Sequence, residues 1–222
     1  MIVANRKPVN EIVEMVKDAK KVLVLGCRGC VSVCSAGGER EVEILASLIR
    51  IGMKKAGKKV KVIEGSLVRQ CDKEFIAGID NWKGKYDAIV STACGVGVNF
   101  IANLRAKDVV YPALNTTFMG GSEEQGIWSE QCAGCGDCVL HLTGGLCPVV
   151  RCAKSLMNGP CGGSVGGRCE IHSSVNCVWQ NIHDRMGAIG QSEGMNRIAP
   201  IRDWSTTSHG GPRTQTRDDL TV

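Results

Sequence analysis

The sequence predicts an α/β protein: a small doubly wound parallel sheet followed by an irregular, metal-stabilised cysteine-rich domain. Three observations carry this expectation. Short apolar runs alternate with amphipathic helical stretches through the first half. Eight of the thirteen cysteines fall between Cys132 and Cys177. That second stretch is also rich in glycine, which signals irregular backbone.

Taken in order, Val9, Ile12, Val13 and Val16 follow Pro8 at helical spacing and predict an amphipathic helix over 9–20. Lys21 to Leu25 is a continuous apolar run ended by Gly26, as expected of a strand buried on both faces. Val42, Leu45, Ala46, Leu48, Ile49 and Met53 share one side of a helix from Gly38 to Lys55, which Gly57 stops. Lys59–Ile63 reads as the second strand, 72–80 as a weaker helix and Tyr86–Val90 as the third strand. Gly95–Arg105 reads as a helix and Asp108–Tyr111 as the fourth strand. A βαβαβαβ order requires right-handed crossovers, a parallel sheet and helices on both faces.

Polar and glycine-rich residues between 112 and 128 suggest a boundary. The expected organisation is an α/β domain over 1–118, a cysteine-rich iron–sulfur or zinc domain over 119–190 and an extended C-terminal arm over 191–222. Within the last two segments, Val178–Met186 has the pattern of one helix, and Trp204 and Gly210-Gly-Pro-Arg213 mark the arm.

Five cysteines fall at the ends of predicted strands. Cys27, Cys30 and Cys34 follow the first strand, Cys71 lies after the second and Cys94 follows the third. All five are placed near the carboxyl edge of one parallel sheet, where open α/β sheets bind ligands. Separate segments delivering thiols to one rim point to a metal site. Cys71 is the first candidate to stand apart from it. A thioredoxin-like dithiol at Cys27-x2-Cys30 is the rival, weakened by a third cysteine four residues on. Gly95-Val-Gly97 alone is a weak nucleotide-binding signal.

The second group opens as Cys132-x2-Cys135-x2-Cys138 and continues through Cys147-Pro148, the ferredoxin manner of holding a 4Fe-4S cluster. Eight residues rather than three precede Cys147, so spacing does not name the fourth ligand. Cys152, Cys161, Cys169 and Cys177 complete eight thiols, enough for two four-cysteine sites. Each is either an iron–sulfur cluster or a tetrahedral zinc, since soft sulfur suits both. Three sites of four would use twelve of the thirteen cysteines. His172 is the one histidine at ligand spacing from a cysteine and reads as a surface or supporting residue.

Composition excludes other classes. The net charge is +5, with no basic run interleaved with aromatics, so nucleic-acid binding is not indicated. Met1 to Pro8 has no apolar signal region and no run of 18 apolar residues occurs, giving the expectation of a cytoplasmic protein that does not enter membranes. In a reducing compartment thirteen cysteines favour metal ligation over disulfides. Glu123-Glu124 and Asp218-Asp219 sit in polar stretches and read as solvated charge, and no Walker A, H-E-x-x-H or G-x-S-x-G motif occurs.

Gly26-Cys-Arg-Gly-Cys-Val-Ser-Val-Cys34-Ser-Ala-Gly-Gly-Glu39, Ala93-Cys-Gly-Val-Gly97, Pro112-Ala-Leu-Asn-Thr-Thr117, Gly144-Gly-Leu-Cys-Pro148 and Met157-Asn-Gly-Pro-Cys-Gly-Gly163 together carry a resemblance. The chain resembles the MetV-type subunits of methylenetetrahydrofolate reductase, the methylenetetrahydrofolate reductase C-terminal domain family. The resemblance spans nearly the whole chain, the Gly210–Arg213 tail included. It implies a cysteine-rich electron-transfer subunit without flavin, paired with a MetF-type catalytic subunit that holds FMN or FAD and reduces methylenetetrahydrofolate to methyltetrahydrofolate in anaerobic one-carbon pathways. The family's C-terminal half is sometimes described as a zinc-finger region. The combined expectation is one 4Fe-4S cluster in the N-terminal half and one or two in the C-terminal half, with zinc as the option for one C-terminal site. Electrons would come from a ferredoxin-like donor or another oxidoreductase module. A zinc-bound structural scaffold that anchors the reductase is the alternative.

Overall fold

The computed structural model describes residues 1–124, 126–207, 211 and 214. The chain forms two compact units, Met1–Trp128 and Ser129–Val222. Apart from Gly211, the Gly210–Arg213 motif lies outside the described residues, as does Asp218-Asp219.

In the first unit β1 (Ile2–Arg6) and α1 (Val9–Met15) lead into β2 (Lys21–Cys27), α2 (Cys30–Val33) and α3 (Glu39–Lys55). They are followed by β3 (Lys61–Leu67), α4 (Lys73–Ile76), a 3-10 turn over Ala77–Trp82, β4 (Ala88–Ser91), α5 (Gly95–Leu104) and β5 (Val109–Pro112). β2 pairs in parallel with β3 and β4, and β4 with β5, giving the order β3-β2-β4-β5. The predicted doubly wound parallel sheet is therefore present. With β2 first in sequence and central in space, the order reverses between β2 and β4, and the crevice of such a sheet opens there.

The burial of β2 follows from its residue pattern. Val22 and Val24 pack on one face with Ile12 and Val16 from the α1 region and with Val42, Ala46, Ile49 and Met53 of α3. Leu23 and Leu25 pack on the other face with Ile76, Ile79, Ile89 and Ile101. All four β2 side chains are fully buried. Each buried Val, Leu or Ile contributes about 1.5–3 kcal/mol, so this strand anchors the unit, and its carboxyl end at Cys27 is held firmly.

α1 stops at Met15, earlier than the periodicity suggests, and residues 16–18 form a turn; the carboxylate of Asp87 then accepts from the amides of Lys20 and Lys21 (3.0 and 2.8 Å) and fixes the start of β2. A larger difference lies at 114–124. Where composition suggests a linker, the chain forms β6 (Leu114–Glu124), paired antiparallel with β1 and flanked by β7 (Ile127–Glu130). Thr116, Thr117 and Phe118 suit a half-buried strand. β1 supplies the backbone partner, and its Val3 and Ala4 are buried beside Leu114.

The second unit is largely irregular. It holds α6 (Pro148–Arg151), α7 (Val178–Ala188) and 3-10 turns at Leu140–Leu142, Ser192–Asn196 and Trp204–Thr206. Its core among the described residues is a small cluster of Val178, Trp179, Ile182 and Met186, all from α7. No helix among the described residues is long and apolar enough to cross a membrane.

Candidate metal centres

The first candidate site forms at the carboxyl edge of the parallel sheet. Cys27 ends β2, Cys30 opens α2, Cys71 precedes α4, and Cys94 caps the N-terminus of α5. Partial burial, followed by the proximity of the Cys27, Cys94 and Cys30 thiols, pushes the Cys71 thiol above its ordinary range. Cys71 thus has thiols from two other chain segments near it at one rim.

Three side chains that sequence reading passed over hold this rim together. Gln70 is fully buried; its amide nitrogen donates to the carbonyls of Leu25 (2.9 Å) and Gly26 (2.8 Å), and its oxygen accepts from the Ser91 hydroxyl (2.6 Å). This ties the ends of β2 and β4 to the residue preceding Cys71. Thr92 donates to the carbonyl of Gly37 (2.7 Å), which in turn accepts from the Cys27 amide (3.0 Å). Thr116 of β6 accepts from the Gly95 amide (2.9 Å), satisfying an otherwise open donor at the start of α5 beside Cys94. The recognisable signal for Gln70 was its position directly before a cysteine at a predicted strand end.

Cys34 is not among the thiols whose charge bears on Cys71. It is buried in the cluster that also holds Cys27, Val3, Ala4, Val31 and Leu114, with Cys94 packed against it, and its thiol faces the carbonyls of Val31 (3.6 Å) and Ala4 (4.0 Å). Cys71, the first candidate from sequence to stand apart, lies near Cys27, Cys30 and Cys94, while the Cys34 thiol, one turn beyond Cys30, faces backbone carbonyls.

The second candidate site lies in the second unit. Cys152, Cys161, Cys169 and Cys177 together line one small cavity of about 20 Å³, with Lys154, Glu170 and Trp179 also in its wall. Short bridges pair Val165 with Arg168 and Arg168 with Asn176, folding the chain so that Cys169 and Cys177 return to the same place. The Cys177 amide donates to Gly167 (2.8 Å) and the Cys169 amide to Val175 (3.0 Å). Backbone N–H groups of His172, Ile171 and Ala153, helped by the charge of Lys154, hold the Cys169 thiol below its ordinary range. His172 acts here through its amide; its ring does not line the cavity.

The third is the run Cys132-Cys135-Cys138. Gly134 and Gly136 both take positive φ (61° and 84°), which closes the loop in a conformation other residues resist. The Gly134 amide donates to the Cys132 sulfur (3.4 Å). Cys147, half-buried, caps α6 with Pro148 at its first turn. The described contacts do not bring Cys147 to the run.

All thirteen cysteines are free thiols. Among the described residues no three His, Cys, Asp or Glu side chains stand at metal-binding spacing. The thiols are gathered by the fold but are not drawn onto a common point. The donor sets are nonetheless all sulfur, of the kind soft metals take, two of them in fours and one in three, with backbone N–H groups at Cys132 and Cys169.

Residues 111–205 match the family model described as Methylene-tetrahydrofolate reductase C terminal. That stretch contains all eight cysteines of the second group and three of the motifs behind the resemblance, and it is here that the chain is similar to the methylenetetrahydrofolate reductase C-terminal family. No curated protein and no solved structure matches the chain.

Proposed function

We propose that this chain is the iron–sulfur electron-transfer subunit of a methylenetetrahydrofolate reductase complex, serving the flavin of a MetF-type catalytic subunit. The observation that carries the reading is the gathering of Cys27, Cys30, Cys71 and Cys94 at the switch point of a parallel sheet. The match of residues 111–205 to a reductase family supports it from the other half of the chain. Iron–sulfur clusters take up and release single electrons, which suits delivery to a flavin.

In this reading the chain binds and tunes; it carries out no bond chemistry on the folate. Cys27, Cys30, Cys71 and Cys94 would hold the N-terminal cluster. Gln70 and Thr92 keep the strand ends that present these thiols in register. Cys132, Cys135 and Cys138 would hold a second cluster, with Cys147 left by elimination as its fourth ligand. The Gly134 amide donates to the Cys132 sulfur, a kind of contact that raises cluster potentials.

A different occupant is proposed for Cys152, Cys161, Cys169 and Cys177. The four thiols line one small cavity together with Lys154, Glu170 and Trp179, and four cysteine sulfurs suit a tetrahedral zinc. Zinc in this place would staple a unit whose apolar core is small. The scaffold reading therefore applies to one site of three.

Metal and acid-labile sulfide analysis of anaerobically prepared protein, combined with its electron paramagnetic resonance spectrum, tests the assignment. Iron and sulfide for two clusters and one zinc per chain are expected. Protein holding zinc alone would overturn the relay.

A further inference from the structure

Arg202 lies at the far end of the second unit's sequence, yet it is bound to the cysteine loop. It is 8 % exposed, and its Nη2 donates to the Cys135 sulfur (3.0 Å), to the Cys135 carbonyl (3.4 Å) and to the Asp137 carbonyl. The Trp204 ring covers the guanidinium at 5.0 Å. The Thr206 hydroxyl adds a bond to the Cys135 carbonyl (2.9 Å). Upstream, Asn158 exchanges two hydrogen bonds with the backbone of Ala199, which anchors the segment leading into Arg202. Residues 199–206 thus form a strap fastened over the Cys132–Cys138 loop.

The chemistry of the strap is unbalanced. Arg202 Nε and Nη1 are buried without a hydrogen-bond partner, and no carboxylate among the described residues pairs with the side chain. A permanently charged guanidinium in such a place costs several kcal/mol unless an anion answers it. Carbonyls and an indole face supply partial charge only. The atom it already touches, the Cys135 sulfur, carries a full negative charge once it is a metal-bound thiolate.

We propose that Arg202 is the counter-charge of an anionic thiolate–metal centre on the Cys132–Cys138 loop, a positioning residue that retains the metal and favours the centre's more negative state. This rests on the reading of that loop as a metal centre. Three thiolates already outweigh a divalent ion or a doubly positive cluster core, so the loaded loop bears net negative charge and supplies what Nε and Nη1 lack. If the centre is an iron–sulfur cluster, accepting one electron adds one negative charge, and a buried cation beside it makes that uptake easier.

The test uses the full chain, loaded anaerobically, and follows metal release to a chelator. The loop's share is the metal missing from Cys135→Ala. Release from the loop is expected to be at least about tenfold faster in Arg202→Gln than in the unsubstituted chain, intermediate in Arg202→Lys, and within about twofold of the unsubstituted chain in Thr206→Val, which loses a fastening but no charge. The midpoint potential of a loop cluster is expected to fall in Arg202→Gln and to hold in Thr206→Val. Equal release from Arg202→Gln and the unsubstituted chain, or equal loss in Thr206→Val and Arg202→Gln, would overturn the counter-charge role. If Arg202→Gln does not load, loading of Arg202→Lys upholds the role and failure of both overturns it. If Cys135→Ala retains all the metal, the loop is not a metal centre, and both readings fall together.

Discussion

The Ser91 hydroxyl donates to the Gln70 carboxamide at 2.6 Å, and both side chains are completely buried. The pair bridges the ends of β4 and the segment after β3, while the other end of the same amide reaches two carbonyls of β2. One side chain therefore joins the three strands whose loops deliver cysteines.

Replacing Gln70 with Leu keeps the volume but removes every one of these bonds. A buried polar group left unsatisfied costs about 1–3 kcal/mol, and here the Ser91 hydroxyl and two strand-end carbonyls lose a partner together. Gln70→Leu is expected to lower unfolding free energy by about 2–4 kcal/mol, measured by denaturant titration. It is also expected to reduce metal bound by the N-terminal thiols more than by the other groups.

Cys34 and Cys71 give a sharper contrast. Cys71→Ala removes a thiol from the rim and is expected to abolish the N-terminal centre with little loss of fold stability. Cys34→Ala removes a small packed group from the β1–α2 region and is expected to leave metal content unchanged while costing about 1 kcal/mol. Iron and sulfide counts on the two variants decide between them; loss of iron in Cys34→Ala alone would reverse the assignment.

Much of this arrangement was legible in the sequence. Val22 to Leu25 read as a strand buried on both faces because nothing polar interrupts the run, and helix packing on each side bears that out. The rim could be foreseen because a parallel sheet places every strand's exit at one edge. Which of Cys34 and Cys71 stands outside a centre could not: spacing does not say whether a residue in the turn after α2 faces the rim or the core. β6 was missed for a related reason. Its residues resemble a linker in composition, and the strand that stabilises it, β1, lies more than a hundred positions away. Arg202 was invisible because its partner loop is distant in sequence and a lone arginine in a polar tail carries no pattern.

Gly37 marks a close approach of two chain segments. A Cβ built there would lie 1.9 Å from the Thr92 carbonyl oxygen, a backbone atom with no freedom to turn aside. Gly37→Ala is expected to push the turn after α2 away from the end of β4 and to destabilise the first unit by about 2–3 kcal/mol. Because the Gly37 carbonyl also receives the Cys27 amide, the same variant is expected to lose N-terminal metal. Thermal unfolding and iron content measured together check both halves; a variant that stays stable and fully loaded would show that the rim does not depend on this contact.

Metal removal should divide the two units. The first has interlocked clusters on both faces of its sheet, whereas the described core of the second amounts to Val178, Trp179, Ile182 and Met186 on one helix. A core this small weighs little against the conformational entropy of ordering the loops around it, so under the proposed reading the second unit is expected to unfold when metal is withdrawn. Trp179 reports on this directly: it is 6 % exposed, its indole N–H donates to the Leu156 carbonyl (3.2 Å), and it lines the cavity of the four cysteines. Chelation under reducing conditions is expected to shift Trp179 emission to longer wavelength, read as the difference between the unsubstituted chain and Trp179→Phe. The far-ultraviolet signal of the parallel-sheet unit should persist. Restoring zinc alone should return the Trp179 signal, because the four cysteines that line the cavity beside it suit a tetrahedral zinc. Recovery only on addition of iron and sulfide would instead assign a cluster to that cavity.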